Sequence, residues 1–189
     1  MDQIDRALVQ EASEAGILDI SWVMDRIAVG GWIETEEKMR AVVHAGITHV
    51  IDMAWEFDDT PLEQFGIKVL LNFTDDDFQT KPPELLHKGV EFALQALQQP
   101  GSKLLIHCVA GRHRGPMMTL AVLGALGWSL EDAMQIIADR RPLVDWAPVY
   151  VESVANFLSS YLPRVSGSDR NNMTDRFSQL NEQTGTGPS

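Results

Sequence analysis

The chain has 189 residues and a formal net charge of −12, with 44% hydrophobic and 22% charged residues. This composition is typical of one globular domain with enough chain to bury a core. So acidic a surface repels nucleic acids and anionic membranes, and neither is expected as a partner. The single cysteine, Cys108, excludes an internal disulfide framework and fits a reducing, cytoplasmic location. The N-terminus has no apolar signal core, and no run approaches the roughly 18 apolar residues of a membrane span.

The first half of the chain alternates between helical and strand patterns. Apolar residues at helical spacing and acids in a first turn predict helices, whereas runs rich in Ile and Val predict strands. The predicted elements are a helix over 4–15, two strands joined at Asp25-Arg26 within 20–31, a helix over 34–46, a strand over 47–53, an acidic loop over 55–66 that ends in a short helix, and a strand over 67–73.

The second half has one more strand and is otherwise helical. The strand over 103–108 is continuously apolar, as a central parallel strand should be. Ser129 with Asp132 forms a pattern like a capping box, and Pro148 suits a first helical turn. The other predicted elements are a loop over 74–83, a helix over 84–99, a strongly apolar and buried helix over 116–126, and helices over 129–141 and 147–162.

This order predicts an α/β fold with a mostly parallel central sheet covered by helices. Residues 1–19 are predicted to be a helical extension packed on the domain, and residues 20–165 are predicted to form the main domain. From residue 166 the composition changes to Ser, Asn, Gln, Gly and Thr, which predicts a flexible polar tail over 166–189.

The segment "IHCVAGRHRGP", residues 106–116, gathers positive charge around Cys108 in an otherwise acidic chain. Backbone N–H groups, a helix N-terminus and nearby cations all stabilise a thiolate, which is the nucleophilic form of cysteine. Gly111 lets the backbone curl into an anion-binding nest, and the planar guanidinium of Arg114 matches two phosphate oxygens. The sequence therefore predicts a phosphate site in a strand–loop–helix setting, although a lone cysteine after an apolar strand is more often a buried core thiol.

The spacing H-C-x-x-G-x-x-R, met by His107, Cys108, Gly111 and Arg114, resembles the signature of the cysteine-based protein phosphatases. Residues 20–162 resemble the small dual-specificity branch, since "ITHVIDM", "LNFTDD", the loop and "RRPLV" occur in that family's order. The resemblance implies the cysteine phosphatase fold, with a four- or five-stranded sheet flanked by helices. It also implies a two-step reaction without metal or cofactor.

Roles for the site residues follow from the same resemblance. Cys108 would attack phosphorus and Arg114 would stabilise the transferring group, while His107 would support the sulfur from behind. The substrate-binding loop comprises Val109, Ala110, Gly111, Arg112, His113 and Arg114. The side chains of Arg112 and His113 could equally face solvent.

The general acid of the family is an Asp on a loop before the cysteine, and "NFTDDDF" lies there. Asp75 is the first candidate because it directly follows the predicted strand end, with Asp76 second and Asp77 third. These carboxylates, with Glu56, Asp58 and Asp59, are predicted to form an acidic rim. Trp55 follows a strand end on the same side and is a further candidate for the site.

One position departs from the family pattern. A Ser or Thr usually follows the arginine, and its hydroxyl helps the sulfur to leave in the second step. This chain has Gly115-Pro116, with Gly115 as the predicted N-cap of the next helix and without a side-chain donor. The second step is therefore expected to be slow, unless water takes the place of the hydroxyl.

The predicted function is hydrolysis of phosphomonoesters, of the protein-tyrosine or dual-specificity type, acting on a phosphorylated protein or a small phosphomonoester. The alternative is a binding module that holds phosphate without turnover. A sulfur transferase or arsenate reductase is disfavoured by the six-residue step from Cys108 to Arg114 and by the lack of a second thiol.

Overall fold

A computed structural model of the chain describes residues 18–161. The predicted N-terminal helix and the predicted polar tail lie outside the described residues. Within this range the chain forms five strands, five α-helices and one 3-10 helix. The strands are β1 (Ile20–Met24), β2 (Ile27–Gly30), β3 (His49–Asp52), β4 (Lys68–Leu71) and β5 (Leu104–His107). The helices are α1 (Glu36–His44), α2 (Pro83–Leu97), α3 (Arg114–Ala125), α4 (Leu130–Arg140) and α5 (Pro148–Tyr161), and the 3-10 helix is Thr60–Phe65.

The five strands form one sheet in the order β1-β2-β5-β3-β4. β1 is antiparallel to β2, and the other neighbours are parallel, so the predicted mostly parallel sheet is confirmed. β5 lies at the centre, where its register sets Gly30 and Asp52 beside His107. All four residues of β5 are buried, which explains the apolar run Leu104–Ile106 that precedes His107.

Helices cover both faces of the sheet. One hydrophobic core joins the sheet to α2, α3, α4 and α5, and every residue of α3 is buried. A second, smaller core packs Val42 of α1 and Leu62 of the 3-10 helix against Val50 and Leu105. Across residues 18–161, no helix combines the length and the apolar character that crossing a bilayer requires.

Several local predictions agree with the structure. Ser129 caps α4 by accepting the N–H of Asp132, and α5 begins at Pro148. The predicted start of α3 at Pro116 is wrong, because the helix begins at Arg114 and His113 is its N-cap. Gly115 is therefore the second residue of the helix rather than its cap.

Arg141 follows α4 and joins three parts of the fold. It is 1% exposed and forms a two-pronged ion pair with Asp19, which precedes β1, at 2.7 and 2.9 Å. It also donates to the carbonyl oxygens of Gly111 at 2.7 Å and Ala110 at 3.1 Å. The guanidinium thus holds the segment after β5 against the start of the sheet.

We expect Arg141→Met to lower the free energy of unfolding by about 3 kcal/mol, because it strips buried carbonyl groups and a carboxylate of their donor. Arg140→Met is the matched control, since Arg140 is exposed and the same change there should stay within about 0.5 kcal/mol. Urea unfolding of both variants measures the difference, and equal losses would contradict this role of Arg141.

Candidate active site

The loop between β5 and α3 is held by bonds from its carbonyl groups to donors outside it. Val109 O accepts the N–H of Trp32 at 3.2 Å, and Arg141 takes the carbonyls of Ala110 and Gly111. Arg112 O accepts the N–H of Asp145 at 3.1 Å. In a trans peptide the carbonyl and the following N–H point in opposite directions. The N–H groups of the four successive residues 110–113 therefore point away from these outside donors and toward one another, as an anion-binding nest requires.

Gly111 is the residue that this close approach requires. Its φ is +60°, which L side chains rarely adopt, and a Cβ there would lie 2.6 Å from Gly30 O. Cys108 is 2% exposed and donates its N–H to the same carbonyl at 3.4 Å. The cysteine thus extends the central strand by one residue and stands at the start of the nest.

Arg114 is fixed by the loops after β3 and β4. Its guanidinium forms a two-pronged ion pair with Glu56 at 3.0 and 3.1 Å and donates to Thr74 O at 3.0 Å. Burial alone would lower the pKa of Arg114, but the hydrogen bond of Glu56 and the charges of Cys108, Glu56 and Asp76 outweigh it and raise that pKa. Its Nε has no hydrogen-bond partner among the described residues, and Asp76 Oδ2 lies 3.8 Å away. The site therefore holds a permanent cation with one free donor.

The three adjacent aspartates have different partners. Asp75 accepts the indole N–H of Trp55 at 3.1 Å, and Asp77 is paired with Lys81 at 2.5 Å. Asp76 contacts the loop itself, because its carboxylate lies 2.9 Å from His113 Nδ1. The structure thus joins Asp76, the second sequence candidate, to the loop and Asp75, the first, to Trp55.

Two residues that sequence reasoning missed shape this acidic loop. Tyr150 donates its hydroxyl to Asp76 at 3.1 Å and accepts the N–H of Phe78 at 3.0 Å. Burial raises the pKa of Tyr150 to about 12, so it stays a donor at neutral pH. Lys81 is buried and donates to Asp75 O at 2.7 Å. Both residues lie far from Cys108 in sequence, and no motif marked them.

His107 lies behind Cys108 in a cluster of three buried titratable groups. Its Nε2 lies 2.5 Å from Asp59 Oδ2 and 3.8 Å from Asp52 Oδ1. The prediction that Asp59 lies on the rim is wrong, because Asp59 is 0% exposed and is the direct partner of His107. The register of the central strands, which sets Asp52 beside His107, brings the groups together.

The charges of this cluster balance when one carboxyl keeps its proton. Burial would lower the pKa of His107, but the hydrogen bond and charge of Asp59 and the charge of Asp52 raise it. Burial raises the pKa of Asp52 to about 7, against the charge of His107 and the N–H of Ala54. Below about pH 7 an imidazolium, one carboxylate and one carboxylic acid therefore place no net charge behind Cys108, and above it the cluster becomes negative.

In the part of the chain that the structure describes, these three residues are also the group whose side chains could hold a metal ion. Their ligand atoms lie within 4.8 Å of one another. The direct hydrogen bond between His107 and Asp59 closes the space between two of the donors, however, and a cation would need them separated. The cluster fits a shared proton better than a metal ion.

Comparison with known proteins places these features in a family. The family model "Dual specificity phosphatase, catalytic domain" matches residues 32–158. The chain is 34% identical over 137 residues to "Phosphatidylglycerophosphatase and protein-tyrosine phosphatase 1" of Mus musculus, covering 67% of this chain and 69% of that protein. It is 34% identical over 86 residues to "Protein tyrosine phosphatase type IVA 3" of Homo sapiens, covering 45% of this chain and about half (49%) of that relative's length.

A solved structure has the same architecture. The crystal structure of PTPMT1 in complex with PI(5)P superposes with a TM-score of 0.69 at 25% identity, covering 76% of this chain and 97% of that one. The similarity therefore extends over nearly all of the described residues.

We expect Asp52→Asn to change how stability depends on pH. Unfolded Asp releases its proton near pH 3.9, whereas native Asp52 keeps it to about pH 7. Asp52 therefore contributes a loss of stability as pH rises from about 4 to 7, and the Asn variant lacks this contribution. The variant should gain on the order of 2–4 kcal/mol over wild type across that window.

Urea unfolding between pH 4.5 and 8 measures this difference. Asp58→Asn is the matched control, because Asp58 is exposed and lies one residue from Asp59. A constant difference between Asp52→Asn and wild type over this range would show that the buried carboxyl does not titrate there.

Proposed function

The chain belongs to the dual specificity phosphatase family, and on this basis we propose that it hydrolyses phosphomonoesters through a phosphocysteine formed on Cys108. The observation that carries the proposal is that the carbonyls of residues 109–112 all accept hydrogen bonds from donors outside the loop. The N–H groups of residues 110–113 are thereby turned toward one anion beside Cys108 and Arg114. Its substrates are a phosphorylated protein or a small phosphomonoester, and the reaction uses side chains and water.

In the first step the Cys108 thiolate attacks phosphorus, and the S–P bond forms as the ester P–O bond breaks. The N–H groups of residues 110–113 and Arg114 stabilise the oxygens of the transferring phosphoryl group. The leaving oxygen takes a proton from an aspartic acid. In the second step water attacks phosphorus, the S–P bond breaks, and the same aspartate accepts the proton of the water.

We assign the acid to Asp76 rather than to Asp75. Asp76 lies against His113 and near the free Nε of Arg114, and Tyr150 orients it. Asp75 is engaged with Trp55 on the exposed side of the loop. Asp76, rather than Asp75, is thus the aspartate that contacts the phosphate-binding loop directly.

A module that binds phosphate with little turnover is the second candidate. The observation in its favour is that Gly115 provides no hydroxyl beside Cys108, so that the second step lacks a side-chain donor to the leaving sulfur. The presence of Cys108, Arg114 and Asp76 in one site favours the enzyme.

Hydrolysis of p-nitrophenyl phosphate tests the proposed function. We expect Cys108→Ser to lower the rate on the order of 10³-fold or more, because an alcohol is a far poorer nucleophile than a thiolate. The fold and orthovanadate binding should survive the change, and EDTA should leave the wild-type rate unaltered. Activity retained by Cys108→Ser would exclude Cys108 as the nucleophile, and binding without hydrolysis in wild type would favour the binding module.

Asp76→Asn should slow substrates with poor leaving groups far more than those with good ones. A general acid contributes roughly 10²–10⁴-fold, and only where the leaving group needs a proton. We expect this loss with an alkyl phosphate and a much smaller one with p-nitrophenyl phosphate. Asp75→Asn is the matched control, and should slow both substrates by a similar small factor. If Asp75→Asn alone shows the dependence on leaving group, the acid is Asp75.

A further inference from the structure

Exposed aromatic side chains are concentrated around the loop between β5 and α3. Among the described residues, Trp55 is 61% exposed and Phe78 52%, with Phe73 and Phe57 at 39% and 36%. All four follow β3 or β4, and the carboxyl ends of these parallel strands meet at the edge of the sheet where Cys108 lies. Half-buried Trp32, which follows β2, lies at the same edge. We call Trp32, Trp55, Phe57, Phe73 and Phe78 the aromatic rim.

Contacts with the loop and its neighbours hold most of the rim in place. The backbone N–H of Trp32 is bonded to Val109 O, which places this residue beside the loop, and the ring of Phe57 meets the ring of Trp32 edge-on at 4.5 Å. Phe78 lies 5.1 Å from the ring of His113. Trp55 is joined to the acidic loop by its hydrogen bond to Asp75. Because the indole hydrogen bond of Trp55 and these ring contacts hold four of the five rings beforehand, a ligand that contacts those four would have less side-chain freedom to order.

Carboxylates outnumber cations in the segments around the aromatic rim. Apart from buried Asp59, residues 55–59 and 74–78 contain five carboxylates and no Lys or Arg. The cations nearest to them are already paired, since Arg114 binds Glu56 and buried Lys81 binds Asp77. Arg112 is half-exposed and lies 3.5 Å from Asp145, whose side chain is 62% exposed. Beyond the phosphate nest, a ligand therefore meets aromatic faces and exposed carboxylates.

We propose that the aromatic rim is a docking surface for phosphopeptides with Lys or Arg next to the phosphorylated residue. The proposal rests on the proposed function, because the phosphate must enter the nest. A Lys or Arg beside it meets a carboxylate with its charge and an aromatic face with its aliphatic stem, and the cation itself is attracted to the ring. Neither attraction is available to an acidic peptide.

A lipid surface fits the rim less well. Exposed Trp and Phe side chains suit a bilayer interface, but here Glu56, Asp58 and Asp75 lie between them, and the chain carries a net charge of −12. The same carboxylates repel the additional phosphates of a phosphoinositide. The charges therefore favour a cationic peptide over an anionic head group or membrane.

Matched phosphotyrosyl peptides test the proposal with the full chain. Two peptides differ only in carrying Lys and Arg, or Asp and Glu, on both sides of the phosphotyrosine. We expect kcat/KM for the cationic peptide to exceed that for the acidic one by about tenfold or more at low ionic strength. The ratio should fall toward one in 1 M salt, where the Debye length is only about 3 Å.

Charge reversal locates the preference on the rim. Asp145→Lys and Asp58→Lys should each lower the ratio of cationic to acidic kcat/KM by roughly three- to tenfold, as expected for surface charge pairs. Glu63→Lys is the matched control, because Glu63 is exposed in the 3-10 helix, outside the segments 55–59 and 74–78. It makes the same change in net charge and should leave the ratio as in wild type. Trp55→Ala should lower kcat/KM for the cationic peptide more than for the acidic one.

The outcomes separate this proposal from the proposed function. If p-nitrophenyl phosphate is hydrolysed but the two peptides react equally, the rim is not a selective surface and the enzyme assignment stands. A rate for a soluble phosphoinositide above that for the cationic peptide, or sedimentation of the protein with phosphatidylcholine or phosphatidylserine vesicles, would assign the rim to lipid. If p-nitrophenyl phosphate is not hydrolysed and neither peptide binds, both proposals fail.

Discussion

The site depends on the hydrogen bonds by which donors outside the loop hold the carbonyl groups of residues 109–112. Without it, the peptide planes of this loop would rotate freely, and their N–H groups would not converge. The donors come from three separate places, the segment after β2, the end of α4 and the segment before α5, so the nest exists only in the folded protein. Arg141 makes half of these bonds, because its buried guanidinium holds two of the four carbonyls and also ties them to Asp19.

The acidic protein can carry this positive loop because each cation has a carboxylate assigned to it. Arg114 is paired with Glu56, Arg141 with Asp19 and Arg112 with Asp145. Such pairing offsets the desolvation of buried guanidinium groups, which would otherwise be large. Behind Cys108 the cluster of His107, Asp52 and Asp59 adds no net charge while Asp52 keeps its proton. Below about pH 7 the electrostatic environment of the sulfur therefore depends mainly on the N–H groups and on Arg114.

Local signals were sufficient to predict most of the fold. The apolar run of β5, the glycines of the loop and the Ser129 cap each act over a few residues, so their outcome is visible in the sequence. The pairing of His107 with Asp59 was not predictable, because it joins residues 48 positions apart, and an Asp within an acidic loop usually faces solvent. The same applies to Tyr150, which reaches Asp76 across 74 positions. The start of α3 was misplaced because Pro116 is a strong signal for a first turn, although the buried Arg114 already has helical geometry.

The backbone requires a glycine at position 111 but not at position 115. Gly111 is required by its positive φ and by the contact with Gly30, whereas a Cβ on Gly115 would lie 3.4 Å from His107 Cα and 3.5 Å from Cys108 N. These are ordinary van der Waals distances, so the backbone has room for a serine there. Thr119, the next hydroxyl along α3, is buried and donates to Gly115 O at 2.9 Å, within the helix. What a glycine at 115 removes is thus a hydrogen-bond donor rather than a steric conflict. On the proposed mechanism, the leaving sulfur would then be stabilised by backbone N–H groups and the helix N-terminus, so breakdown of the phosphocysteine is the step that this substitution would slow.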